Sequence, residues 1–201
     1  PAPAFDVPVE NLSTYVMVTP WAADVDPDNP LPEYPRPGLV RDDWVNLNGR
    51  WQLELLEADS QTPLEAEDFS REIVVPFPIE SILSEVELRA HHFAYYRTFE
   101  VPEGWDVGGD ERLQLNFGAV DHEATVYVNG TEVTHHVGGF DAFSVDITDQ
   151  LVEGENELVV RVTDTTGDQP RGKPSNNPAG IFYTPAAGAG PEAGKMPALL
   201  G

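Results

Sequence analysis

The amino-acid sequence predicts an all-β protein, an antiparallel β-sandwich of jelly-roll type. Short stretches in which apolar and polar residues alternate recur along the chain. Strict alternation is typical of half-buried strands, because successive side chains leave a strand on opposite faces. Polar turns separate these stretches, and no segment longer than about ten residues has a convincing helical period. Regularly spaced short strands with polar turns are the pattern of a sandwich or jelly roll.

The clearest strands lie between Glu111 and Gln150, where we expect an antiparallel sheet with one apolar face. The alternating apolar residues in this stretch and the strand after it are Leu113, Leu115, Phe117, Ala124, Val126, Val128, Phe143, Val145, Ile147, Leu158, Val160 and Val162. Asn129-Gly130 lies between two such runs. Asn-Gly there is the strongest short-range hairpin signal, because a type I′ turn needs positive φ at both central residues.

Three further strands precede this stretch. One starts near Arg50 with Trp51, Leu53 and Leu55 at alternate positions, and a second covers Ile73 to Val75 before two prolines end it. A third runs from 91 to 101, with Phe93, Tyr95, Arg97 and Phe99 on one face. Between the last two, residues 79–88 are expected to contain one short helical turn.

The chain divides into three predicted parts. Residues 1–38 are rich in proline and aspartate, which disfavours helix and central strand, so we expect an extended surface segment that Trp21 and Tyr34 pin to the body. Residues 39–185 form the jelly-roll domain, and residues 186–201 a low-complexity tail. Residues 164–178 form a long loop, and loops longer than about twelve residues are usually functional or disordered.

The charge restricts the possible partners. With 35 acidic residues against 11 Lys+Arg, the net charge is −24. Such a surface repels phosphate backbones and anionic lipids, so neither nucleic acid nor a membrane is an expected partner. A carbohydrate meets no such repulsion. The absence of cysteine excludes disulfides and thiolate metal sites.

The N-terminus has no secretory pattern, since PAPAFDVPVE contains neither a basic nor a long apolar region. Proline rather than methionine at position 1 is compatible with processing, so location stays open, with the cytoplasm favoured over secretion. No run of eighteen apolar residues, the length of a membrane-spanning helix, is present.

Six phrases resemble, in order, the N-terminal sugar-binding domain of glycoside hydrolase family 2, which includes β-galactosidases and β-glucuronidases. They are TPWAADVDPDNPLPEYPRPGLVRDDWVNLNGRWQLEL, VPFPIESILS, YYRTFEVPEGW, LNFGAVDHEATVYVNGTEV, HVGGFDAFSVDITDQL and PRGKPSNNPAGIFYTP, together reaching from Thr19 to Pro185. The resemblance implies a jelly roll like galactose-binding domains. In the family this domain precedes an immunoglobulin-like sandwich and a TIM barrel.

The resemblance also implies a non-catalytic role. The family's catalytic glutamates lie in the barrel, and these 201 residues do not continue into one. After GIFYTP the family usually continues with a closing strand, whereas this chain continues AAGAGPEAGKMPALLG. A selected fragment, a shifted reading frame or an early stop would each account for that. We therefore expect a domain, inactive by itself, that supports sugar binding and docks to a catalytic barrel outside this chain. The alternative is a stand-alone lectin-like module.

No catalytic residue is predicted within the chain. Retaining glycoside hydrolysis needs two carboxyl groups about 5 Å apart. Asp42 with Asp43, and Asp121 with Glu123, are the obvious pairs. With so many acidic residues, however, some pair satisfies any loose spacing rule. Asp121 is instead expected to order a turn or accept a hydrogen bond at the rim of a sugar pocket.

The segment HHVGGF contains the next candidates. Adjacent histidines on a strand point to opposite faces, so His135 and His136 are not expected to chelate one metal ion. By the resemblance, this segment lies near the junction of sandwich and barrel, where His136 and Phe140 would shape the pocket rim. The alternative is a simple turn with a packed Phe140.

The long loop carries the remaining candidates, Arg171, Lys173, Asn176 and Asn177. Side chains of these types hydrogen-bond sugar hydroxyls, and aromatic faces stack on sugar rings. In the family, an acidic or amide residue of this loop reaches the active site, which the two asparagines would match. The alternative is an exposed linker without a ligand. No cofactor is expected.

Overall fold

The computed structural model describes residues 20–32, 43–58, 60, 62–88, 90–109, 111–164 and 199–200. The structural statements below concern these residues.

Nine strands form two antiparallel sheets, which confirms the predicted all-β sandwich. The strands are β1 (Gly49–Leu55), β2 (Arg71–Val75), β3 (His92–Glu100), β4 (Gln114–Phe117), β5 (Glu123–Val128), β6 (Thr131–Val137), β7 (Phe143–Asp146), β8 (Glu155–Thr163) and β9 (Leu199–Leu200). The large sheet has the order β2-β1-β3-β8-β5-β6, and the small sheet the order β7-β4-β9. Buried side chains of both sheets form one hydrophobic core.

The alternating strands between Glu111 and Gln150 do not form a single sheet. β4 and β7 pair with each other in the small sheet, whereas β5 and β6 belong to the large one. Alternation identifies which face of a strand is buried but does not identify its neighbours. The alternation in β4 and β5 is therefore equally compatible with two strands of one sheet and with strands of two sheets that face one core.

The centre of the large sheet carries the best-buried side chains. β3 pairs with β8 along its whole length, placing Phe93 opposite Val162 and Tyr95 opposite Val160. Phe93 and Tyr95 are fully buried, with their rings edge to face at 5.5 Å between centroids. Full burial of such a side chain contributes about 1.5–3 kcal/mol to the free energy of folding. Phe93 and Tyr95 thus lie on one buried face of β3, as the alternation predicts.

The Asn129-Gly130 turn joins β5 to β6 as predicted. Both residues have positive φ, +49° and +75°. The Asn129 side chain also fixes the turn to the sheet, because its Nδ2 donates to the Gln150 carbonyl and its Oδ1 accepts from the Glu157 backbone N–H. The distances are 2.8 and 2.9 Å. The turn is thus held by tertiary contacts as well as by local preference.

The proline-rich segment is attached differently from the prediction. Trp21 lies in a short 3-10 helix, Pro20–Asp24, and is 72% exposed, so it does not pin the segment to the body. Asp28 does so through the Arg50 guanidinium, with 2.8 Å between Oδ1 and Nε. Tyr34 lies outside the described residues.

Three other 3-10 turns are present in the described part of the chain, Ala66–Asp68, Ile82–Ser84 and Thr148–Gln150. The second is the helical turn predicted between the second and third strands. None of the helices in the described ranges is long and apolar enough to cross a membrane.

Candidate functional site

A corner of the sandwich brings together the residues on either side of the β5–β6 hairpin. Glu123 at the start of β5 pairs with Val137 at the end of β6. The flanking residues 121–122 and 138–140 therefore meet at the open end of the hairpin. We call residues 121–122 and 136–140 the glycine corner.

Asp121 and Gly139 pack directly on each other in the glycine corner. Asp121 is only 7% exposed, and a Cβ added to Gly139 would overlap its carboxylate. The neighbouring Gly138 has φ of +139°, which favours glycine, and its N–H donates to the His122 carbonyl at 2.8 Å. Two consecutive glycines thus let the backbone close over a buried carboxylate.

His136 is held in the corner by stacking. Its ring lies 4.2 Å from that of Phe143 at 15°, and Phe143 in turn stacks on Phe117 with 4.6 Å between centroids. The Nε2 atom of His136 is buried and has no hydrogen-bond partner among the described residues. Stacking therefore fixes the orientation of the ring and leaves one buried ring nitrogen without a hydrogen bond from the described part of the chain.

The adjacent His135 contacts a different set of residues. Its Nδ1 lies 3.0 Å from the Thr125 hydroxyl and its Nε2 lies 3.3 Å from a Glu123 carboxylate oxygen. The two histidines therefore do not share neighbours, as strand geometry requires. Within the described ranges, no group of three or more His, Asp or Glu side chains is arranged to hold a metal ion.

Two apolar side chains of the glycine corner are exposed. Phe140 is 60% exposed and Val137 is 55% exposed. The corner thus combines a recessed carboxylate and an imidazole nitrogen with exposed apolar side chains. Such a surface can contact both a sugar ring and another protein domain.

Five residues that the sequence analysis named as candidates lie outside the described residues. They are Arg171, Lys173, Asn176, Asn177 and Asp42. Asp121, His136 and Phe140 are brought together by the hairpin.

A concave surface away from the glycine corner was not predicted from the sequence. It is a groove of about 570 Å³ along β4, bounded by Trp44 and Trp105 and reaching the Phe99 side chain at the end of β3. We call it the β4 groove. Both tryptophans lie outside the alternating runs, in segments that sequence patterns assign to loops. The signal in the sequence that could have indicated the groove was a tryptophan in each of these two polar loops.

Arg112 at the β4 groove is already engaged with carboxylates. Its guanidinium lies 3.1 Å from Asp149 Oδ1 and 3.7 Å from Asp146 Oδ2. The Asp146 carboxylate also accepts from Thr148, and this hydrogen bond holds the pKa of Asp146 below its usual value. The charge of the arginine is thereby largely balanced within the protein.

Comparison with known proteins identifies relatives among glycosidases. The family described as "Glycosyl hydrolases family 2, sugar binding domain" matches residues 65–170, more than half of the chain. A β-glucuronidase of Paenibacillus borealis is 42% identical over 91 residues, which are 44% of this chain and 15% of that protein. A β-galactosidase of Arthrobacter sp. is 40% identical over 68 residues, which are 34% of this chain and 7% of that protein.

A solved structure has the same arrangement. The β-glucuronidase of an uncultured Clostridium sp. superposes with a TM-score of 0.52 at 33% identity, covering 62% of this chain and 23% of its own. The chain thus spans only a small part of each protein it matches, and the matched family is a sugar-binding, non-catalytic part of those enzymes. This chain belongs to the sugar-binding domain family of glycosyl hydrolases family 2.

Proposed function

We propose that this domain supports β-glycoside binding beside a glycosidase catalytic domain, and that the glycine corner is the surface it presents there. The observation that supports this most is the proximity in the chain of a stacked His136, whose Nε2 has no hydrogen-bond partner among the described residues, and a 60% exposed Phe140. An unpartnered ring nitrogen and an exposed phenylalanine are both unfavourable on a surface that binds nothing.

The chemistry of the corner suits a supporting role. The apolar side chains of Phe140 and Val137 provide contact area for a docked domain, and large exposed apolar patches on proteins mark interaction sites. The His136 imidazole can exchange a hydrogen bond with a sugar hydroxyl or a backbone group. Asp121 is buried against Gly139, so it serves to fix the turn and is not placed to attack a substrate.

Trans-complementation tests the proposal. The chain is mixed with a catalytic fragment of a related β-glucuronidase or β-galactosidase that lacks its own N-terminal domain, and aryl β-glycoside hydrolysis is measured. We expect no turnover by the chain alone and increased turnover by the mixture. Phe140→Ala should weaken this gain about tenfold, since truncating a central interface aromatic typically costs more than 1 kcal/mol.

Val152→Ala is the matched control, because Val152 is similarly exposed, at 52%, but lies outside the corner. Equal effects of the two variants would contradict the role of the corner. Hydrolysis by the chain alone that is lost on substitution of an acidic residue would contradict the non-catalytic role. Tight binding of methyl glycosides by the chain alone, measured by calorimetry, would instead favour the stand-alone lectin.

A further inference from the structure

The chain contains two Asn-Gly pairs, Asn48-Gly49 and Asn129-Gly130, and they differ in their place in the fold. Asparagine before glycine is prone to spontaneous deamidation, because a residue without Cβ leaves its backbone nitrogen open to the preceding side chain. Gly49 pairs with Val75 inside the large sheet, and Asn48 is only 5% exposed. Gly130 is exposed at the tip of the β5–β6 hairpin, where an added Cβ would meet none of the described atoms within 4 Å.

Deamidation begins when the backbone nitrogen of the glycine bonds to Cγ of the asparagine. That nitrogen gives its proton to water or hydroxide, the Cγ–Nδ2 bond breaks, and Nδ2 takes up a proton and leaves as ammonia. Water then opens the resulting cyclic imide at one of its two carbonyls, which gives aspartate or isoaspartate. Water is the co-reactant, and nothing is oxidised or reduced. The reaction therefore needs a side chain that can turn toward the next backbone nitrogen.

Three hydrogen bonds hold the Asn129 amide in another direction. Its Nδ2 donates to the Gln150 carbonyl and to Oδ1 of Asn156, each at 2.8 Å. Its Oδ1 accepts from the Glu157 backbone N–H at 2.9 Å. Ring closure draws Cγ toward the nitrogen of Gly130 and away from these partners. The turn must therefore open before Asn129 can react.

Asn156 joins the hairpin turn to the segment that precedes β8. Its side chain is fully buried, and its Oδ1 also accepts from the Val152 backbone N–H at 2.8 Å. Its Nδ2 donates to the carbonyls of Val152 and Gly154 at 3.3 and 3.0 Å. Residues 130–132 at the hairpin tip, in contrast, are exposed. Opening of the turn thus breaks hydrogen bonds but uncovers little apolar surface, so it is easier than unfolding the sheet.

The aspartate product does not fit the position that Asn129 occupied. An oxygen replaces Nδ2 and faces two acceptors, the Gln150 carbonyl and Oδ1 of Asn156. A carboxylate has no proton to donate to either of them, so both hydrogen bonds are lost and the facing oxygens repel each other. Isoaspartate lengthens the backbone by one methylene, which a two-residue type I′ turn does not accommodate.

We propose that Asn129 is a site of spontaneous deamidation, in which local opening of the β5–β6 turn starts the reaction and the product keeps the turn from closing again. The modification does not depend on the proposed role of the glycine corner, which lies at the other end of the same hairpin.

Peptide mapping by mass spectrometry tests this on the folded chain held in mildly alkaline buffer. We expect aspartate and isoaspartate to accumulate at Asn129, and Asn48 to stay unchanged over the same period. In urea both pairs should react, because the fold then holds neither asparagine. Equal conversion of both pairs in the folded chain, or conversion of neither while the unfolded chain reacts, would overturn the proposal.

Two variants separate local opening from global unfolding. Asn156→Ala removes one acceptor of Nδ2 and should speed the reaction at Asn129 by a factor on the order of five, because one hydrogen bond no longer resists opening. Phe143→Ala is the matched control, since it destabilises the small sheet and leaves the three hydrogen bonds of Asn129 in place. Its rate at Asn129 should equal that of the wild type. Equal acceleration by the two variants would place the reaction in the globally unfolded chain.

Hydrogen exchange of the wild type measures the same opening without a substitution. The Glu157 amide, which donates to Asn129, should exchange faster than the Tyr95 amide at the centre of the large sheet. Equal protection of the two amides would contradict local opening.

Asn129→Asp reproduces the aspartate product. It should shift the midpoint of unfolding to a lower urea concentration, because a carboxylate then faces two acceptors. Asn116→Asp is the control, since it adds the same charge where Nδ2 makes one long hydrogen bond, 3.5 Å to the Gln114 carbonyl, and it should shift the midpoint less. Equal shifts of the two variants would contradict the effect of the product on the turn.

Discussion

The two sheets of this domain differ in how deeply their described residues are buried. In the large sheet, β3 has a partner on both sides and its residues Phe93 and Tyr95 are fully buried. In the small sheet, the residues of β7 alternate between half-buried and exposed, and the described residues pair only half of one edge of β4. The same alternating pattern therefore gives fully buried side chains in β3 of the large sheet and only half-buried ones in β7 of the small sheet.

The difference indicates a division of roles. A central strand such as β3 has a neighbouring strand on each side and buries more apolar area than an edge strand. It therefore contributes more to stability, because the hydrophobic contribution scales with the apolar area removed from water. The glycine corner lies at the edge hairpin of the large sheet, whereas the β4 groove runs along a strand of the small sheet. Substitutions in the two sheets can separate stability from binding.

The largest expected effect comes from the centre of the large sheet. Phe93→Ala should lower the free energy of unfolding by about 4 kcal/mol, because it leaves a cavity at a fully buried site. Phe143→Ala in the small sheet should cost only about 1–2 kcal/mol, since that ring is half-buried and loses mainly its stacking on Phe117 and His136. Urea unfolding of both variants measures the difference. Equal losses would remove the distinction between the sheets.

A smaller effect is expected at the glycine corner. Gly139→Ala should lower the free energy of unfolding by about 2 kcal/mol, because the new Cβ overlaps the buried Asp121 carboxylate. Gly109→Ala is the control, since a Cβ there would meet nothing within 4 Å. Thermal unfolding compares the two. If both variants matched the wild type, the close packing of the corner would be disproved.

The smallest effect concerns the outer face of the large sheet. Partial burial and the hydrogen bond to Glu157 raise the pKa of Tyr96 from 10.0 to about 12. A raised folded pKa gives stability that is present below pH 10.0 and is lost as the pH rises toward about 12. Tyr96→Phe should therefore have a shallower decline of unfolding free energy across that window, measured by urea unfolding at several pH values. An unchanged slope would argue against this contribution.

Much of the fold could be predicted from local patterns. Alternation located β1, β3, β4, β5, β7 and β8, and a short apolar run before two prolines located β2. Asn129-Gly130 located the β5–β6 turn, because side-chain period and turn geometry act over a few residues. The pattern could not assign β4 and β7 to a separate sheet. It also could not reveal that Trp21 is exposed while Asp28 makes the attachment to Arg50.

The candidate site was predicted less completely. The sequence drew attention to Asp121 as a residue that orders a turn, and the resemblance predicted that His136 and Phe140 shape a pocket rim. The overlap between Gly139 and Asp121, the stacking of His136 on Phe143 and the β4 groove depend on contacts between distant parts of the chain.

The sequence by itself determined which faces of the strands are apolar, where one hairpin turns, and that the surface carries a strong negative charge. These properties follow from single residues and their immediate neighbours. Only the tertiary structure decided which strands share a sheet, which side chains line the β4 groove, and how two glycines close over a carboxylate. Those outcomes depend on packing between segments far apart in the chain, and local preferences do not encode them.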